Sequence, residues 1–120
     1  MDRKKELIRA YKETPTPMGV YQIKNLKNGR IFIGSHTNVP GKINSHRFQL
    51  TVGSHRNKAL QQDWNDCGAD AFSFEVLELI NPDKVPRDNW LNAVAALEEK
   101  WLDQVRPYDE NGYNAHKEKK

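Results

Sequence analysis

Four kinds of reactive side chain draw attention in this sequence through their spacing. Tyr21 closes the tripeptide Gly19-Val20-Tyr21, and Phe32-Ile33-Gly34 follows across an intervening Asn28-Gly29. Lys42 and His46 are four residues apart, so on a helix they share a face, and His55 follows in Gly53-Ser54-His55. Glu98 falls four residues after Val94 and three before Trp101, inside an apolar helical stripe from which neighbouring Glu99 points away. A carboxylate on that stripe costs several kcal/mol unless a cation or hydrogen bonds meet it. Two readings of Glu98 therefore stand level on spacing alone, an ion pair with Lys or Arg and a metal ligand. Basic, imidazole and carboxylate groups are together what phosphodiester cleavage needs. Taken singly each has a plainer explanation, and Tyr21 alone reads as a strand aromatic packed beneath a helix.

The elements that must position these groups are legible in outline. Val20 to Lys24 and Arg30 to Ser35 read as strands joined at Asn28-Gly29, and a two-residue turn there puts Tyr21, Ile23, Phe32 and Gly34 on one face. The glycines of both tripeptides leave room for something to approach the backbone. A polar helix from Arg3 to Lys12, ended by Thr14-Pro15-Thr16-Pro17, leads in. Asn38-Val39-Pro40 starts a helix through Lys42 to Leu50 that Gly53 stops, and Ser54 is placed to cap the next one, with His55 at its start. That helix carries Leu60, Trp64 and Cys67 and ends at Gly68. Ala71 to Ile80, with Phe72, Phe74, Val76 and Leu77, reads as a buried third strand ended by Asn81-Pro82. Asp88 is placed to cap a last helix bearing Leu91, Val94, Trp101 and Val105, with Pro107 beyond it. The sum is an α/β (α+β) domain, a small three-stranded antiparallel sheet flanked by helices, spanning residues 18–114 between a helical lead-in at 1–17 and a basic tail at 115–120.

Composition bounds the function without choosing it. A chain of 120 residues holds one domain with a modest core. Lys and Arg outnumber acidic residues by 19 to 16, which permits a polyanion partner without demanding one. Cys67 is the sole cysteine and the first residues are charged, so the expected compartment is the cytosol, and no stretch is apolar enough for a membrane span. His36, His46, His55, His116 and Cys67 lack the close pairing that structural zinc sites use. Cys67 reads as a buried thiol, and Trp64, Trp90 and Trp101 read as core. Lys117, Lys119 and Lys120 read as a solvated tail.

From Gly19 to Asn114 the chain resembles the GIY-YIG endonuclease family. The hairpin tripeptides match the family signature, with Val for Ile and Phe for the second Tyr. Lys42, His46 and Gly53-Ser54-His55 match the Arg, His and Gly-x-His that usually follow, and Leu97-Glu98-Glu99-Lys100-Trp101 matches the late helix carrying the family's metal-binding Glu. Leu60-Gln61-Gln62-Asp63-Trp64, Phe72-Ser73-Phe74-Glu75-Val76-Leu77-Glu78 and Gly112-Tyr113-Asn114 resemble later blocks in the same order. The resemblance implies a GIY-YIG-type endonuclease that hydrolyses DNA, RNA being a further option, with Mg²⁺ or Mn²⁺ on Glu98. It implies Tyr21 as general base, His46 and His55 as proton relays or phosphate ligands, and Lys42 as the cation on the phosphate. Phe32, Gly34 and Asn114 become supporting residues, and Arg47, Arg56 and Lys58 join Lys42 in holding nucleic acid. The small size implies weak sequence preference or a separate targeting protein.

Two departures from the family pattern bear on activity. Phe32 lacks the hydroxyl of the second motif tyrosine, and Lys42 replaces a planar bidentate guanidinium by a point charge, for which Arg47 or Arg56 are substitutes in another register. A nucleic-acid-binding module with weakened or lost catalysis is the first alternative, and a protein-interaction adaptor the second.

Overall fold

The computed structural model describes residues 16–115; the expected leading helix and the lysines after Ala115 lie outside them. Strand β1 (Met18–Asn25) and strand β2 (Ile31–His36) form the hairpin, followed by α1 (Val39–Val52), α2 (Lys58–Cys67), β3 (Phe72–Ile80) and α3 (Trp90–Val105). The strands make one antiparallel sheet in the order β2-β1-β3. Tyr21 pairs with Gly34 and Ile23 with Phe32, so the four share a face as the alternation requires. The connection is longer than a two-residue turn. Asn25 N–H donates to the Arg30 carbonyl at 2.8 Å, Gly29 N–H donates to the Asn25 carbonyl at 2.8 Å, and Gly29 takes the left-handed conformation at φ 79°. The pairing moves by an even number of residues relative to the tight turn, which leaves each side chain on its expected face.

Helices cover both faces of the sheet. On one, Ile23 packs with Leu50 of α1, Leu60 of α2, Phe72 and Tyr113, and Phe32, Trp64 and Phe74 close around them. On the other, Val20 and Ile33 pack with Leu102 of α3, flanked by Leu97 and Trp101. The central strand is therefore β1, buried from Met18 to Ile23. The third strand is not the buried element its apolar run suggests. It lies at the sheet edge, where Val76 and Leu79 are half exposed and Glu75 faces solvent.

Two caps also differ from expectation. Asn57, not Ser54, caps α2, its side-chain oxygen accepting from the Leu60 N–H at 3.1 Å. Ser54 belongs instead to a loop that turns His55 inward, so His55 precedes the helix rather than starting it. Asp88 lies within a short 3₁₀ turn, Arg87–Asn89, and α3 begins at Trp90 without a side-chain cap. The first cap matches: Asn38 accepts from Gly41 N–H at 3.1 Å, and Gly53 ends α1 at φ 82°. Among the described residues no helix is long and apolar enough to cross a membrane.

After α3 the chain returns along the outer side of β2. Tyr113 N–H donates to the Ile31 carbonyl at 2.9 Å, and the side chain of Asn114 accepts from Ile33 N–H at 2.8 Å while donating to the Ile33 carbonyl at 2.9 Å. Gly112 makes this approach possible, since a Cβ there would run into the carbonyl oxygens of Pro107 and Ile31. Backbone atoms cannot yield as side chains do. Gly112→Ala is expected to lower the denaturant midpoint by the equivalent of about 1–3 kcal/mol with an unchanged m-value, as overpacking against fixed atoms does.

Candidate active site

Tyr21 lies on the sheet face covered by α1 and is 1% exposed. Its ring crosses the Cα of Gly34, and a Cβ at that glycine would meet the phenol oxygen and its ring carbon. The room left by Gly34 is thus filled by the partner strand's own tyrosine. The Tyr21 hydroxyl is 2.7 Å from His46 Nε2, and His46 Nδ1 is 2.8 Å from His55 Nε2. His55 Nδ1 in turn receives the backbone N–H of Asn57 at 3.0 Å. Three buried rings therefore form one hydrogen-bonded chain that reaches from the central strand, through α1, to the loop before α2.

Each ring is held from the side as well. The imidazoles stack with centroids 5.0 Å apart, and Phe32 presents its ring to both, at 5.4 Å from His46 and 6.4 Å from His55. Gln61 fixes the loop: its Oε1 accepts from His55 N–H at 3.0 Å and its Nε2 donates to the Leu50 carbonyl at 3.0 Å. Gln61 and Asn57 carry no sequence signal as site residues beyond the amide types that cap helices. Ser35 carries none either, although it follows Gly34 directly.

Burial dominates the electrostatics. It lowers the His46 pKa to about 4, helped by His55 and by the positive charge of Lys42. His55 is lowered for the same first reason, and Lys42 again adds to it. Lys42, one turn before His46, is thereby placed within electrostatic range of both imidazoles. Burial raises the Tyr21 pKa well above the ordinary phenol, and the negative charge of Glu98 raises it further.

Glu98 projects from α3 on the opposite face of the sheet and is half buried. Its Oε1 accepts the Ser35 hydroxyl at 2.9 Å, and among the described residues no Lys or Arg bridges it. β2 is an edge strand, so Gly34 beneath the phenol and Ser35 on the carboxylate bring the two groups to adjacent positions of one strand. Arg47 is elsewhere. Its guanidinium lies 4.5 Å over the Phe74 ring, beside a groove lined by Thr51, Trp64, Asp70 and Phe72, so it does not stand in for Lys42. Arg56 and Lys58 are exposed next to His55. Among the described residues no group of three or more His, Cys, Asp or Glu gathers as a metal site.

A family model for the GIY-YIG catalytic domain matches residues 17–114. The chain belongs to the GIY-YIG family. Intron-associated endonuclease 1 of Enterobacteria phage T4 is 29% identical over 99 residues, which cover 80% of this chain and 36% of that protein. The chain thus spans about a third of the length of that relative. Among solved structures, the catalytic domain of homing endonuclease I-TevI superposes with a TM-score of 0.67 at 28% identity, covering 83% of this chain and 99% of that one. A point mutant of the same catalytic domain gives 0.66 at 27% identity, covering 82% and 93%. The α+β architecture of this chain is that of the GIY-YIG catalytic domain.

The depressed histidine sets a pH dependence whose sign is fixed. In the unfolded chain His46 takes up its proton near 6.5, whereas in the folded protein it stays neutral down to about 4. Stability is thus full above pH 6.5 and falls progressively as the pH drops towards 4. The loss assigned to His46 is on the order of 2–3 kcal/mol. Urea melts between pH 7.5 and 4.5 should show this decline, and His46→Gln should flatten it.

Proposed function

We propose that this protein is a divalent-metal-dependent endonuclease that hydrolyses DNA phosphodiester bonds by a tyrosine-assisted attack of water. The observation that carries the reading is the Tyr21–His46–His55 chain with Lys42 on one side of β2 and Glu98, unclaimed by a basic side chain, on the other. GIY-YIG membership over residues 17–114 supports the reaction class, and the relatives, which are endonucleases, agree with it.

Cleavage gathers negative charge on a pentacovalent phosphate and requires a base for the attacking water. Tyr21 is the proposed base. In the resting protein its proton is held tightly, because burial and Glu98 both disfavour the phenolate. The hydrogen bond with His46 orients the phenol, and Phe32 shields the imidazole pair from one side. Lys42 supplies positive charge to a phosphate bound at this end of α1, while exposed Arg56 and Lys58 extend the contact along the backbone. Arg47, turned onto Phe74, is left for contacts outside the reacting centre.

Glu98 fits a hard cation by its donor chemistry. It is a half-buried carboxylate whose partner is a neutral hydroxyl, and a lone carboxylate with phosphate and water oxygens is what Mg²⁺ or Mn²⁺ accepts. Bound there, the cation supplies charge stabilisation to the scissile phosphate.

Nicking of supercoiled plasmid tests the reading. The wild type should nick in Mg²⁺ or Mn²⁺ and not in chelator, and Tyr21→Phe and Glu98→Ala should each lower the rate by roughly 100-fold or more. Salt-sensitive DNA binding without nicking would instead support the binding module, to which Phe32 and Lys42 gave weight. Neither activity would leave the adaptor.

A further inference from the structure

The hydrogen-bonded chain of rings has a direction, and the anchor at its far end decides it. An N–H can donate to an imidazole nitrogen only when that nitrogen carries no proton. The backbone N–H of Asn57 points at His55 Nδ1 from 3.0 Å, so a neutral His55 keeps its proton on Nε2. That nitrogen faces His46 Nδ1 at 2.8 Å, where one proton fits and two do not. His46 Nδ1 is therefore bare, its own proton sits on Nε2, and this N–H faces the Tyr21 oxygen at 2.7 Å.

We propose that Asn57 is a positioning residue whose main-chain N–H orders the protons of the relay, so that both histidines are Nε2–H tautomers and the phenol oxygen of Tyr21 is the terminal acceptor. The opposite order would set a protonated His55 Nδ1 against the Asn57 N–H, two donors facing each other at 3.0 Å. Burial keeps both imidazoles in the neutral form that this order requires.

Asn57 is well held for such a task. Its Oδ1 caps α2 through Leu60 N–H at 3.1 Å, and its Nδ2 donates to the Tyr113 carbonyl at 2.6 Å. Tyr113 precedes Asn114, whose amide grips Ile33 beside Gly34. The residue that orders the relay is thus tied to the strand over which the phenol lies.

The consequence for chemistry rests on the nuclease reading. With His46 Nε2–H donating to the oxygen, the phenol cannot hand its own proton to His46 in the resting state. The imidazole pair instead acts as a fixed donor that stabilises phenolate. The phenol first gives its own proton to solvent. The phenolate oxygen then takes a proton from water as the water oxygen bonds to phosphorus. The bond from phosphorus to the leaving sugar oxygen breaks and that oxygen is protonated by solvent, no proton passing through the histidines.

Nitrogen-15 NMR of the histidine rings tests this on the full chain, without DNA or metal, at pH 7.5. His36→Gln and His116→Gln leave only the two relay rings to report. Both should show a protonated Nε2 and a bare Nδ1; an Nδ1–H tautomer at either ring overturns the proposal. Asn57→Pro removes the donor and is compatible with the backbone φ of −82° at this site, whereas Asn57→Ser keeps the N–H and a capping oxygen. The Pro variant should give mixed tautomers and, where the wild type nicks plasmid, a rate lower by roughly 10-fold or more from misorientation of the phenol. The Ser variant should keep the wild-type tautomers. Unchanged tautomers in the Pro variant overturn the role of Asn57. The expected order in a wild type that never cuts DNA supports the proton order and removes the nuclease reading instead.

Discussion

Burial of Tyr21, His46 and His55 in one hydrogen-bonded chain is the constraint on which the rest of this structure depends. Buried ring heteroatoms without partners would cost several kcal/mol together. The chain meets that demand only if three separated segments keep their positions. β1 must present the phenol, α1 must present His46 one turn after Lys42, and the loop before α2 must turn His55 inward. The loop is the least regular of the three, and it receives the most help. Gln61 bonds the main chain of His55 and the end of α1, and Asn57 bonds the ring and caps α2. The amides of α2 therefore serve the imidazole as much as they serve the helix.

The same logic explains the closing segment. β2 is an edge strand, and an edge leaves main-chain groups unpaired. Tyr113 and Asn114 occupy that edge at Ile31 and Ile33, one with its backbone and the other with a side-chain amide that imitates a strand. Tyr113 also donates to Asp63 at 2.6 Å and lies 3.2 Å from Asn25 Nδ2, while Arg30 reaches Asp63 at 3.6 Å. Hairpin, second helix and closing segment are pinned at one point, and burial beside Asp63 pushes the Tyr113 phenol up to about 12. The strand bearing Gly34 is thus fixed from its outer side, which keeps the space above it constant for the Tyr21 ring.

How much of this was legible follows from what each signal measures. Alternation placed Tyr21, Ile23, Phe32 and Gly34 on one face, and that survived a wrong turn length because faces depend on parity and not on register. Helical spacing put Lys42 and His46 together and Glu98 on the inner stripe of α3, because a helix face is set by the period of about 3.6 residues within the element. The apolar run of β3 misled, since hydrophobicity reports burial on one face as readily as on two; β1, with Gln22 and Gly19 in it, proved central because helices lie over both its sides. Ser54 and Asp88 failed as caps because several polar residues precede each helix and propensity cannot rank them. Ser35, Asn57 and Gln61 were silent because their roles rest on contacts between elements. Family resemblance, not periodicity, singled out His55 and Asn114.

The two departures from the family pattern look different once their surroundings are known. Phe32 faces the edges of both imidazoles, so its loss of a hydroxyl is also a gain of apolar wall around rings that must stay neutral. A water-exposed imidazole pair would protonate more readily, and a protonated pair would lose the single direction of its hydrogen bonds. Lys42 lies close enough to depress both histidines, and a point charge does this as well as a guanidinium does. What the lysine gives up is the bidentate geometry of a guanidinium, not its influence on the imidazole pair. The balance around Tyr21 then depends in part on the sign of the charge across β2: Glu98 adds to burial in holding the proton on the phenol, and positive charge at that carboxylate would oppose it. Phenol and carboxylate are coupled through one edge strand, and substitution at Ser35 or Gly34 would change that coupling without touching either group.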